Sequence, residues 1–548
     1  MKRLFGTTLG LKSNQIRRLE NLYRRRIPTE FLVTPELSRE ICSISQEIRR
    51  QIGLLINRLG RIEFVIVGRQ QRIIIPDTSE YRTAPGRLKG LRCIHTHLKS
   101  EPLDRDDITD LALLRLDLMA AITINEEGLP DHIYIGHILP KTSDGNSCQL
   151  LPAINNNQLS IGCLDLIQAL ETELSHSRAL HDADSGRERA LLVSVTTASR
   201  KKAEESLAEL EELAESSGID IVGTVLQQRI KADPRFLMGL GKLQELAILA
   251  LQKGSTVIVF DQELNPSQVR SITDQIELKV IDRTQLILDI FAQHAQTREG
   301  KLQVELAQLK YLLPRLITKN TAMSRLTGGI GGRGPGETKL EINRRRVRDR
   351  IRRLEKGLDT VKKRRRQQKA KRDKINLPVI SIIGYTNVGK STLLNTLTKS
   401  NVRAESRLFA TLDPSSRRLR FPQDFEVIIT DTVGFIRELP KDLMVAFRAT
   451  LEELESADLL LHVIDISNPR FEDQIKSVEK ILVDLNLNHI PVIRVLNKQD
   501  LLEDNYVDKL SKSLNGTGIS ANNKNTLMPL IEKIGIIIEP VFERTVNS

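Results

Sequence analysis

Nine residues, "GYTNVGKST" from Gly384 to Thr392, constrain the fold more than any other stretch of this 548-residue chain. They match GxxxxGK[ST], follow the apolar run "PVISII" and lead into the helical pattern "GKSTLLNTLTKS". A loop that closes backbone N–H groups around phosphate leaves a buried strand and enters a helix N-terminus, so an α/β domain must surround it. Gly384 and Gly389 permit the turn, with Tyr385, Thr386, Asn387 and Val388 between them. Lys390 is placed to reach the β and γ phosphates, and the Ser391 hydroxyl, followed by Thr392, suits Mg²⁺.

The loop alone means only a nucleoside triphosphate. Downstream "DTVG", residues Asp431, Thr432, Val433 and Gly434, ends the strand-like run "FEVIIT". That puts a carboxylate near the metal and a glycine N–H near the γ phosphate. "NKQD" follows "PVIRVL" and supplies Asn497, Lys498 and Asp500. The Asp500 carboxylate can accept two N–H donors from a guanine edge, a pair that adenine lacks, so GTP and GDP are the expected ligands. Ser520 and Ala521 in "ISA" fall where a backbone N–H could meet the guanine oxygen, and Thr411 in "FATLDP" is placed to reach Mg²⁺ as a switch. The expected catalytic set is Lys390, Thr411, Asp431 and Gly434, with Ser391 and Thr411 on the metal. This ordered series resembles the translation-factor-related class of P-loop GTPases. Many of those carry a water-orienting Gln after the DxxG glycine; here the residue is Phe435, which predicts slow hydrolysis in isolation. Asn387 matches the asparagine of potassium-stimulated GTPases, so K⁺ is a candidate cofactor; a loop-stabilising role is the alternative.

The rest of the chain is too long for one core. Residues 1–172 read as a mixed α/β extension, with helical patterns in "LKSNQIRRLENLYRR" and "LSREICSISQEIRRQIGLLINRLG" and strand-like runs "EFVIVG" and "RIIIP". Residues 173–187 are polar and aperiodic, as in a linker. Over 188–296 apolar strand runs alternate with helical stretches, the rhythm of a parallel sheet with covering helices. Residues 376–548 form the nucleotide domain. No uncharged apolar run approaches a membrane span, no secretory leader opens the chain, and Cys42, Cys93, Cys148 and Cys163 form no CxxC pair. A reduced, cytoplasmic setting is the expectation.

Between these domains, 297–375 reads as a basic antiparallel helical hairpin. Leu302, Leu306, Leu309, Leu313 and Leu316 step by four and three, as do Val347, Ile351, Leu354, Leu358 and Val361. Pro314 should kink or end the first arm. Between the seams lies "TGGIGGRGPGETKLE", residues 327–341, a longer connection than a simple reversal requires. From Lys339 to Lys374 there are 18 Lys and Arg against 5 Asp and Glu, a surplus of 13 that exceeds the whole chain's +12. Such a stripe can displace counterions from a nucleic acid. Gly328, Gly329, Gly331, Gly332, Arg333 and Gly334 in the loop and Arg344, Arg345 and Arg346 on the arm are the candidate RNA contacts. The quoted loop, the P-loop run, "LFATLDPSSRRL" and "DTVGFIRELP" together resemble the HflX family of ribosome-associated GTPases, over about residues 188–535. The resemblance implies binding to the large ribosomal subunit and its rRNA, splitting of stalled ribosomes, and hydrolysis stimulated by ribosomes. Many members carry a further C-terminal domain, for which the 27 residues after Ala521 are too few. Rival readings are a ribosome-assembly or RNA-modification GTPase, and an RNA-binding scaffold with structural GTP.

Two motifs stand outside this account. In "CIHTHLKSEPLDRDDITD", His95 and His97 share one side of a strand, and Asp104 or Asp107 could add a third metal ligand; two packed or hydrogen-bonded histidines are the plainer reading. "GLGKLQEL", from Gly239, lacks the P-loop spacing and reads as a glycine turn entering a helix.

Overall fold

The computed structural model describes residues 3–78, 81, 87–143, 146–179, 187–276, 278–316, 339–372, 377–398, 415–420, 426–432, 434–437 and 454–546. They fall into two compact units, Met1–Ala208 with Gly218–Ile281, and Glu209–Ser217 with Asp282–Ser548.

The first unit holds two sheets. Strands β1 (Phe5–Gly6), β2 (Ile52–Asn57), β3 (Ile62–Val67), β4 (Leu91–His97), β5 (Met119–Ile124), β6 (Pro130–Ser143) and β7 (Asn146–Leu150) lie in the order β1-β3-β2-β4-β5-β6-β7, with β8 (Ile154–Asn155) beside β6. Every residue of β4 and β5 is buried, so the centre of this sheet is covered on both faces. The second sheet has the order β10-β9-β11-β12, from β9 (Arg189–Thr196), β10 (Asp220–Gln228), β11 (Val257–Phe260) and β12 (Lys279–Asp282). Strands β10 and β11 both run parallel to β9, as the alternating rhythm predicts. The glycine turn at Gly239 does enter a helix, Leu240–Gln252, for which it is the N-cap residue.

The extension shares its core with the second sheet. Ile248 and Leu251 belong to the apolar cluster of the first sheet, and Leu113 belongs to that of the second. Arg115 also donates to the Ile276 carbonyl at 3.1 Å, and Gln252 to that of Leu139 at 2.7 Å.

Three local readings change. The helical pattern that begins at Leu37 ends at Ile48, where Arg49 takes φ 52°, and "IGLLIN" becomes strand β2. A continuous apolar run fits a doubly covered strand better than a one-sided helix. "RIIIP" joins no strand: Ile73 is buried, Ile74 is exposed, and Pro76 has no N–H to offer a ladder. Helix Cys163–Ala179 runs through the first seven residues of the expected linker; residues 180–186 lie outside the described set.

In the second unit, helix Arg298–Leu316 continues past Pro314 and packs against helix Lys339–Arg372. Leu306, Leu354 and Leu358 form the buried seam, flanked by Leu302, Leu309 and Ile351. Ion pairs Arg350–Glu305 at 2.7 Å and Lys310–Glu355 at 2.9 Å edge it. The third sheet has the order β14-β15-β13-β16-β17-β18, from β13 (Val379–Gly384), β14 (Ser415–Arg420), β15 (Glu426–Asp431), β16 (Leu459–Asp465), β17 (Val492–Asn497) and β18 (Gly516–Gly518). Among the described residues of this sheet, only β14 pairs antiparallel. The carboxyl ends of β13, β15 and β17 therefore point the same way, and the motif residues follow those ends.

Candidate active site

Strand β13 is buried throughout and delivers the chain at Gly384 into a loop that becomes helix Lys390–Thr398. Asn387 takes φ 60° and Gly389 φ 93° in the turn. A Cβ on Gly389 would lie 2.4 Å from Asn497 Nδ2, so only glycine lets the guanine-side strand approach the loop this closely. The Lys390 ammonium is buried and donates to the Tyr385 carbonyl at 2.6 Å. Burial pushes its pKa down to about 8, with Asp431 pulling the other way.

Ser391 Oγ donates to Asp431 Oδ2 at 2.6 Å. The hydroxyl and the carboxylate thus face the same point, where Ser391 would hold a Mg²⁺ ion with Asp431 beside it. Thr432 is fixed by donating to the Ile382 carbonyl at 2.6 Å. Gly434 sits against the loop, where a Cβ would meet Thr386 Cγ2 at 2.8 Å and Lys390 Nζ at 3.0 Å. Phe435 is buried; its N–H donates to the Gly384 carbonyl at 3.0 Å and its carbonyl accepts from Thr386 at 2.9 Å.

On the base side, Asn497 Nδ2 donates to the Val388 carbonyl at 2.7 Å, and its Oδ1 accepts from Ala521 N–H at 2.9 Å. Lys498, at φ 64°, pairs with Asp465 at 2.6 Å. Asp500 is exposed in the short helix Gln499–Leu501, and Ser520 N–H donates to Thr526 Oγ1 at 2.9 Å. One side chain thus joins phosphate loop, NKxD strand and ISA loop. Thr411, Val433 and the loop residues Gly328, Gly329, Gly331, Gly332, Arg333 and Gly334 lie outside the described residues. Arg344, Arg345 and Arg346 are on the basic helix, the last two exposed.

Sequence reading missed a cluster behind the loop. The Tyr385 hydroxyl donates to the buried carboxylate of Glu209 and accepts from Arg437 N–H at 2.7 Å. Glu209 also pairs with Arg283 at 2.9 Å. Burial, then the Glu209 charge, raises the Tyr385 pKa above its ordinary value. Glu209 is 176 residues from Tyr385, so no local pattern announces the contact.

The same residues match known family models. Residues 379–498 match a 50S ribosome-binding GTPase domain, 204–292 a GTP-binding GTPase N-terminal region and 294–372 a GTP-binding GTPase middle region. The GTPase HflX of Caldanaerobacter subterraneus is 47% identical over 365 residues, 66% of this chain and 83% of that protein. The chain belongs to the HflX family of GTPases. The HflX of Escherichia coli K12 is 46% identical over 321 residues, 59% of this chain and 75% of that protein. A GTP-binding protein of Sulfolobus solfataricus, solved with GDP, aligns at 26% identity and a TM-score of 0.36, over 65% of this chain and 99% of that one. As an HflX GTPase the chain hydrolyses GTP, a reaction for which P-loop GTPases generally use Mg²⁺. Among the described residues no helix is long and apolar enough to cross a membrane.

Proposed function

We propose that this HflX GTPase binds the large ribosomal subunit through rRNA, splits or rescues stalled ribosomes, and couples its GTP cycle to that association. The supporting observation is the basic helix. Its apolar seam is buried against helix Arg298–Leu316, while Arg345, Arg346, Arg348, Arg352 and Arg353 are exposed. The charge therefore rides on a packed arm, where a polyanion can neutralise it. Residues 328–334, with five glycines and Arg333, add backbone donors with little bulk, suited to a narrow phosphate-lined crevice.

At the nucleotide, Lys390 and the loop N–H groups from Gly384 to Thr392 hold the phosphates. Ser391 and Thr411 ligate Mg²⁺, Asp431 stands beside it, and Thr432, Val433 and Gly434 follow the γ phosphate. Asn497, Lys498, Asp500, Ser520 and Ala521 hold guanine, and Asn387 is the candidate K⁺ ligand. The test is GTP hydrolysis in K⁺ and in Na⁺, alone and with purified large subunits, beside a variant lacking residues 328–336. Stimulation by subunits that the deletion abolishes supports the reading. Equal rates with and without subunits would overturn it.

A further inference from the structure

We propose that His95, His97 and Asp107 form a three-ligand site for a divalent transition-metal ion of the Zn²⁺ class, in the first compact unit and separate from the nucleotide chemistry. Strand β4 carries the two histidines, spaced by two so that both rings leave the same face. Thr96 between them faces the other way, where its hydroxyl bonds Ser45 Oγ at 2.7 Å and accepts from Ile52 N–H at 2.9 Å, which fixes the strand's rotation. Helix Arg105–Leu113 follows, and its third residue, Asp107, meets the rings. Asp107 Oδ2 accepts from Asp104 N–H at 2.9 Å, while Asp104 caps Asp107 N–H at 2.9 Å. Of the two aspartates weighed from sequence, Asp107 is the ligand and Asp104 holds it in place.

The donor atoms converge. His95 Nε2 lies 2.8 Å from His97 Nε2 and 3.1 Å from Asp107 Oδ1, and His97 Nε2 lies 3.5 Å from Asp107 Oδ2. One nitrogen from each ring and one Asp107 oxygen all lie within 4.8 Å of one another, and ligands of a tetrahedral zinc at its usual bond lengths stand about 3.3 Å apart, a difference that side-chain rotations cover. His97 Nδ1 is 3.0 Å from the Glu101 carbonyl, which can only accept, so Nδ1 carries a proton and Nε2 is the ring nitrogen left to face the cluster as a ligand. That is the tautomer and orienting contact that metal-bound imidazoles use. A divalent ion would satisfy both ring nitrogens and the carboxylate together. All three side chains are buried, at 0%, 5% and 8% exposure, so water competes poorly for them. Two imidazoles and one carboxylate favour zinc and its neighbours over Mg²⁺ or Ca²⁺.

The experiment uses the full chain, stripped with a chelator and free of nucleotide and Mg²⁺, titrated with Zn²⁺ against a chromogenic chelator. The expected result is one zinc per chain, bound at least about tenfold more weakly in His97→Gln and in Asp107→Asn, with GDP affinity unchanged. Asp107→Asn keeps an oxygen for the Asp104 N–H, and Ser391→Ala controls for metal at the nucleotide site. Zinc-edge X-ray absorption of the wild-type chain needs no variant and is expected to show two imidazoles and oxygen ligands. No stoichiometric zinc, equal affinity in both variants, or a shell without imidazole would overturn the proposal. In those cases the trio is a proton-sharing hydrogen-bond network.

Discussion

Replacing Asn497 with Ala should cost nucleotide affinity out of proportion to its size. The side chain is 2% exposed and makes two hydrogen bonds, to the Val388 carbonyl at 2.7 Å and from Ala521 N–H at 2.9 Å. Alanine leaves both backbone partners, themselves buried, without this contact. An orphaned buried polar group costs about 1–3 kcal/mol, so the pair amounts to roughly 2–4 kcal/mol after relaxation. If that appears wholly in binding, GDP affinity falls about 30-fold to several-hundred-fold, at 1.4 kcal/mol per decade. The assay is titration of a fluorescent GDP analogue, with thermal unfolding of the nucleotide-free protein to apportion the loss. Asn497→Asp sharpens the test, because it keeps the Ala521 acceptor but turns an oxygen toward the Val388 carbonyl. That near-isosteric change should be as damaging as alanine. An Asn497→Ala protein that binds GDP within about twofold of wild type and melts with it would refute the bridging role.

Three further outcomes are expected. Tyr385→Phe preserves the ring but removes a donor to the buried Glu209 carboxylate and an acceptor for Arg437 N–H; it should cost roughly 2–4 kcal/mol in chemical denaturation, and much less in a Glu209→Gln background. Lys390 sits at about pKa 8 in the nucleotide-free site, and phosphates favour its ammonium form, so GDP affinity should be level below pH 8 and fall up to about tenfold per pH unit above it. Because a lysine with a lowered folded pKa sheds its proton first in the folded state, nucleotide-free stability should rise between pH 8 and about 10.4; calorimetry in buffers of different ionisation heat checks both, and Lys390→Gln should abolish the slopes. Leu354→Ala, at the buried seam, should cost about 2–4 kcal/mol and speed proteolysis of the two helices, while Arg350→Ala at the exposed edge should leave melting unchanged.

What the sequence made legible is what short-range chemistry encodes. The P-loop glycines, the strand before them and the helix after them depend on neighbours within a dozen residues, and they fold as read. The heptad steps likewise put Leu306 and Leu354 in one seam. The errors fell where local patterns were ambiguous. A continuous apolar run such as "IGLLIN" carries no period with which to separate strand from helix, and the polar, aperiodic tail of helix Cys163–Ala179 reads in sequence like a linker. Contacts across long separations left no trace at all: Glu209 under Tyr385, Asn497 against Val388 and the choice of Asp107 over Asp104 all depend on tertiary packing.

Phe435 shows how such packing bears on catalysis. From sequence it is only a residue that cannot orient water, and a neighbour could in principle swing into its place. In the structure its backbone forms a bridge with Tyr385, bonded in both directions to Thr386 and Gly384, and its ring is buried. Freeing that position would break two backbone bonds and expose an aromatic ring, at a cost of several kcal/mol, which keeps the opened loop to a population of about one in a thousand or less. The water-orienting group therefore has to come from another segment or from a bound partner, and hydrolysis by the isolated chain should be slow. Phe435→Gln offers the discriminating measurement. Because the side chain is buried, glutamine there should destabilise the protein without accelerating GTP turnover; a faster isolated rate would mean that the residue reaches the phosphates after all.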